Sequence, residues 1–146
     1  EADLVVEAAT EKIDIKLELF RQLDQFAPAT AVLASNTSSI SITQIAAVTQ
    51  RPSQVIGMHF MNPVPVMQLV ELIRGIATDE PTFAACKEVV DRLGKSAATA
   101  EDRGPPSHVR EHHDRGADGL HYHVVPLARA PRDPQDRSEA LPRNAP

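Results

Sequence analysis

His59 stands alone in the first hundred residues: the chain has six histidines, and the other five (His108, His112, His113, His121 and His123) follow residue 100. It comes at the end of the apolar run Val55-Ile56-Gly57-Met58. Glu71 interrupts a second such run, Val66 to Ile73. Strand alternation puts Met67, Leu69, Glu71 and Ile73 on one face and Val66, Gln68, Val70 and Leu72 on the other. If both faces are covered the carboxylate is buried, and a buried carboxylate needs a partner. His59 is the economical one, and a histidine oriented by a carboxylate is what a general base requires. The bland alternative is a satisfied structural histidine. The run Ser35-Asn36-Thr37-Ser38-Ser39 gathers five small polar residues, which read either as an N-capping loop or as a ligand-facing one.

The elements that must position these groups follow from periodicity. Ala2 to Ala8 and Thr30 to Ala34 read as short buried strands, and Val55 to Phe60 as a third. Thr10 offers an N-cap to a helix running to about Ala27, with Ile15, Leu19, Leu23 and Phe26 as its inner stripe, flanked by Phe20. A second helix spans about Ser41 to Val48, and Arg51-Pro52-Ser53 turns the chain. Asn62-Pro63-Val64-Pro65 excludes helix. Val66 to Ile73 is strand-like. Thr78 or Asp79 caps a last helix, with Pro81 in its first turn, Phe83, Cys86, Val90 and Leu93 inward, and Gly94 at its end. Ser96 to Ala100 begins a further strand. The alternation predicts an α/β fold with a mainly parallel, helix-covered sheet. Ligands of such sheets sit beyond the carboxyl ends of strands, here Glu7 to Glu11, Ser35 to Ser39 and His59 to Asn62.

The 146 residues divide at a seam. Every Lys, Ile, Met and Phe precedes residue 101, whereas seven of twelve prolines and seven of eleven arginines follow it. We expect one folded unit over residues 1–102 and an irregular tail over 103–146. The strand at residue 2 further implies sheet neighbours ahead of it, with an open edge at Leu4 to Val6 and marginal stability. Three readings of the tail stay open: a natural extension, a histidine metal site, or out-of-frame translation of a GC-rich gene. The last is favoured, because Lys disappears and large aliphatics become sparse at one point; the adjacent His112 and His113 argue against metal, so none is expected. A single cysteine rules out an intrachain disulfide. The net charge of −5 does not advertise a nucleic-acid partner. No apolar run approaches a membrane span, so neither nucleic acid nor membrane is expected as a partner.

Ser35-Asn36-Thr37-Ser38-Ser39, then Gly57-Met58-His59-Phe60-Met61-Asn62-Pro63-Val64-Pro65-Val66-Met67, then Leu69-Val70-Glu71, resembles the signature of the 3-hydroxyacyl-CoA dehydrogenases, with bacterial 3-hydroxybutyryl-CoA dehydrogenases the nearest likeness. Val6-Glu7-Ala8 with Glu11 and Lys16 fits as well, and the likeness runs to about Asp102. The resemblance implies a cytoplasmic enzyme of fatty acid and butanoate metabolism that uses NAD to oxidise L-3-hydroxyacyl-CoA to 3-ketoacyl-CoA. It implies that this chain holds the C-terminal part of a Rossmann-like doubly wound NAD-binding domain. By motif position His59 is the general base, Glu71 orients it, and Ser38 bonds substrate near the nicotinamide. Glu11, Lys16, Ser38 and Asn62 serve the cofactor's ribose and nicotinamide end.

The sequence departs from that pattern in two places. It holds no Gly-x-Gly-x-x-Gly for the pyrophosphate. After Glu101-Asp102-Arg103 it reads Gly104-Pro105-Pro106-Ser107 where the family continues with Pro-Gly-Phe and an Asn-Arg pair, so the helical domain and its homodimer surface are not found here. Two functions therefore stay open: a piece of a working dehydrogenase, or a catalytically inactive relic that at most binds weakly. The 146 residues alone are expected to show little turnover.

Overall fold

The computed structural model describes residues 2–102, and the expectations for residues 103–146 lie outside that span. Within it run β1 (Leu4–Glu7), α1 (Ile13–Phe26), β2 (Val32–Ser35), α2 (Ile42–Ala46), a 3-10 turn (Pro52–Gln54), β3 (Val55–Phe60), β4 (Leu69–Arg74), α3 (Glu80–Arg92) and β5 (Ser96–Glu101). The five strands form one sheet in the order β1-β2-β3-β4-β5. Even-numbered side chains of β1 to β4, among them Val6, Ala34, Met58 and Leu72, pack with Cys86, Val89 and Val90 of α3. Leu33 and Val55 face the other way, against Phe20 of α1 and Ile42, Ile45 and Ala46 of α2. Helices thus cover both faces, in an α/β Rossmann-like arrangement.

The sheet is mixed rather than uniformly parallel. β1, β2 and β3 are parallel and β4 is parallel to β5, but β4 runs antiparallel to β3. Only residues 61–68 separate those two strands. A parallel crossover needs a dozen residues or more, usually a helix, and the prolines of this link forbid one.

α1 presents a different face from the one its apolar stripe predicts. Lys16 and Phe20 are fully buried and Leu17, Leu23 and Ala27 pack beside them, whereas Ile15 is 48 % and Phe26 82 % exposed. Moving the inward position from Ile15 to Lys16 turns the helix by roughly 100°. Its N-cap is Lys12, not Thr10, whose hydroxyl instead accepts from the Lys12 amide at 3.1 Å. The far end of α1 has no basic residue of its own. Arg51, from the turn after α2, donates there to the carbonyl oxygens of Asp24, Ala27 and Pro28, and its Nε bonds Asp24 Oδ1 at 2.8 Å.

α3 starts at Asp79, whose carboxylate accepts from the Thr82 amide at 2.9 Å. It ends in a Schellman motif at Gly94 (φ 70°): the Lys95 amide donates to Val90 O and the Gly94 amide to Asp91 O. Its inner stripe is Thr82, Cys86, Val89 and Val90; Phe83 is only partly buried and Leu93 is exposed. Gly57 in β3 is required by closeness. A Cβ there would lie 2.7 Å from Ile73 Cβ and 3.0 Å from Ile42 Cδ1. That contact draws α2 down onto the β3–β4 pair. β1 is an edge strand among the described residues, yet its Leu4 and Val6 side chains are buried.

Candidate active site

The parallel strands deliver their carboxyl ends to one edge of the sheet. Glu7, Ser35 and Gly57 form one register row there, on the face of α1 and α2. His59, two residues further along β3, shares that face and pairs in register with Glu71 of β4. Nδ1 of His59 and Oε2 of Glu71 are 2.9 Å apart. An ionised carboxylate can only accept, so this bond places the ring proton on Nδ1 and leaves the lone pair of a neutral imidazole on Nε2. The His59 side chain is 20 % exposed and that of Glu71 38 %. Glu71 is therefore not buried as alternation under two covered faces predicts. Ile42 of α2 reaches Gly57, and the next row outward lies past it, within reach of solvent.

Behind this pair lies a buried polar group. Glu7 and Lys16 are fully buried and form an ion pair. Ser35 Oγ donates to Glu7 Oε2 at 3.0 Å and accepts from Lys16 Nζ at 3.1 Å, while Glu7 Oε1 accepts from the Ala9 amide at 2.8 Å. Glu11, at the exposed rim, receives the Thr37 hydroxyl at 2.7 Å and that of Ser39 at 3.2 Å, both on Oε2. Thr37 Oγ1 in turn accepts from the Ser39 and Ile40 amides. Asn36 Oδ1 takes the Phe60 amide at 2.8 Å, fastening the loop after β2 to β3 beside His59.

The structure thus joins His59 to Glu71 directly, and Glu11 to the Ser35–Ser39 loop. Ser38 and Asn62 are exposed, in the loops leaving β2 and β3. Lys16 is not at the open rim: its ammonium lies inside, on Glu7 and Ser35. The sequence reading passed over Glu7, Ser35, Asn36 and Thr37 as individual actors. A signal existed for Glu7, the same acid-in-an-apolar-strand pattern that singled out Glu71. The cap of α2 is Ser41, two residues beyond the Ser35–Ser39 run: its Oγ accepts from the Gln44 amide and donates to Asp102, so the run itself does not cap that helix. Among the described residues no group of His, Cys, Asp and Glu could hold a metal ion, and no helix is long and apolar enough to cross a membrane. Away from this edge, burial pushes the Cys86 thiol up to about 12.

Residues 1–103 match the family model described as "3-hydroxyacyl-CoA dehydrogenase, NAD binding domain". The chain is 57 % identical over 102 residues to a 3-hydroxybutyryl-CoA dehydrogenase of Bradyrhizobium diazoefficiens, covering 70 % of this chain and 35 % of that protein. It is 47 % identical over 100 residues to the human mitochondrial hydroxyacyl-coenzyme A dehydrogenase, covering 68 % and 32 %. The crystal structure of (S)-3-hydroxybutyryl-CoA dehydrogenase from Ralstonia eutropha superposes with a TM-score of 0.67 at 52 % identity, over 68 % of this chain and 35 % of that one. The chain therefore spans about a third of the length of the relatives it matches.

Proposed function

Since the chain belongs to the 3-hydroxyacyl-CoA dehydrogenase family, through its NAD-binding domain, we propose that its residues form the nicotinamide-side half of a site that oxidises L-3-hydroxyacyl-CoA, 3-hydroxybutyryl-CoA in particular, to the 3-ketoacyl-CoA. The observation that carries this reading is the 2.9 Å contact of His59 Nδ1 with Glu71 at the carboxyl edge of the parallel strands. His59 Nε2 takes the substrate's hydroxyl proton, and Nδ1–H remains on Glu71. The carboxylate fixes the tautomer and offsets the positive charge the ring then gains. Ser38, on the loop that Asn36 fastens beside His59, donates to the reacting oxygen.

The donor set fits the nicotinamide-ribose end of NAD, which when bound supplies the hydride acceptor. Glu11 is an exposed carboxylate with both inward hydroxyls on one oxygen, suited to a ribose diol, and Asn62 is an exposed amide. Lys16 supports this end from within. The reading carries with it an acyl-CoA substrate and a cytoplasmic location.

The test is a chimera in which residues 1–102 replace the matching segment of the Bradyrhizobium enzyme, assayed by acetoacetyl-CoA-dependent NADH oxidation beside the 146-residue chain. We expect the chimera to turn over and His59→Asn to lower its kcat by roughly 100-fold or more. Turnover left within threefold by His59→Asn would overturn the assignment.

A further inference from the structure

We propose that Glu7 is a positioning residue: with Lys16 and Ser35 it sets the spacing between the two loops that carry Glu11 and Ser38. The proposal rests on the functional reading above for what those loops hold, though not for the tie itself. Glu7 ends β1, Lys16 lies in the first turn of α1, and Ser35 ends β2. One carboxylate therefore gathers three segments. Oε1 holds the Ala9 amide at 2.8 Å, two residues before Glu11; Oε2 takes Lys16 Nζ and, at 3.0 Å, the hydroxyl of Ser35, three residues before Ser38. The Glu7 and Lys16 side chains are both fully buried, and no buried side-chain nitrogen or oxygen among the described residues lacks a partner.

Stability is a poor reason for such a group. Two desolvated charges repay their burial only with excellent geometry, and apolar residues of similar volume are often as stable or more so. A fully satisfied buried network does hold its members in one arrangement. Glu7 and Ser35 are register partners at the ends of β1 and β2, where the loops carrying Glu11 and Ser38 begin, so the arrangement the network holds is that of those two loops. The same tie explains why α1 turns Lys16 inward in place of Ile15.

The experiment separates holding from folding. The double variant Glu7→Met/Lys16→Met of the full chain replaces the pair by apolar groups of similar size, and Glu7→Gln keeps the volume while removing the anion. Thermal unfolding, residue-resolved amide hydrogen exchange and NADH titration by fluorescence are measured on each. The double variant is expected to melt within a few degrees of the parent. Amide protection at Ala9, Ser39 and Ile40 should fall at least tenfold while that at Ile56 to Met58 holds, and NADH affinity should fall at least tenfold wherever the parent binds. Unchanged protection at Ala9, Ser39 and Ile40 overturns the proposal, as does lost protection with unaltered NADH affinity. A double variant that fails to fold assigns the pair to stability and overturns it too. A parent chain that binds no NADH counts against the functional reading alone, and hydrogen exchange then decides.

Discussion

His59 and Glu71 stand opposite one another on the antiparallel neighbours β3 and β4, and the side chains meet at 2.9 Å across that register. The contact fixes which ring nitrogen is protonated. Long-range 1H–15N correlation on 15N-histidine-labelled chain at neutral pH is expected to place the His59 proton on Nδ1, with Nε2 bare. A proton on Nε2 would remove the basis for its role as a base.

Gly57→Ala puts a methyl group 2.7 Å from Ile73 Cβ and 3.0 Å from Ile42 Cδ1. Overpacking of this kind costs about 1–3 kcal/mol. Urea denaturation should show that loss. The same change at Gly94, where nothing lies within 4 Å of the added carbon, is costly only through its φ of 70°.

Asp79→Ala removes the cap of α3 and should cost about 1 kcal/mol at neutral pH. The effect is pH-dependent with a definite sign. The backbone hydrogen bond from Thr82 holds the Asp79 carboxyl below the usual range, so the folded state releases its proton more readily than the unfolded one. Its contribution is complete above the ordinary aspartate value of about 3.9 and fades as pH falls through the lower folded value. Denaturation curves of parent and variant should converge below that window.

Cys86 is 1 % exposed and its thiol is pushed up to about 12 by burial. Since the thiolate is the reactive form, a disulfide reagent at pH 8 should label the native chain only as fast as it opens, and completely in denaturant. Immediate native labelling would contradict the packing of α3.

Much of this was legible from residue types. Apolar runs mark β1 to β4, and Glu71 is matched to His59 because an acid breaks one of those runs and the folded part offers a single histidine; the pair forms although the acid is not buried. The facing of α1 was not, since periodicity counts Lys16 as polar and cannot know that Glu7 and Ser35 wait for it. The mainly parallel sheet follows from strand–helix alternation, and three of the four strand pairs are parallel; the antiparallel β3–β4 pair goes with the short proline-bearing link that replaces a helix there. The exposure of Glu71 depends on how far α2 reaches along the sheet, which is set by Ile42 settling against Gly57. No local pattern encodes that reach.

The arginine that finishes α1 lies in a distant part of the chain. Carbonyls of residues 24, 27 and 28 receive their donors from Arg51, more than twenty positions later. As the polypeptide leaves the ribosome, the first helix therefore stays frayed at its trailing end until β2 and α2 have also emerged, and bringing the two together carries a loop-closure cost before the bonds repay it. A nascent chain halted before residue 51 would lack the clasp.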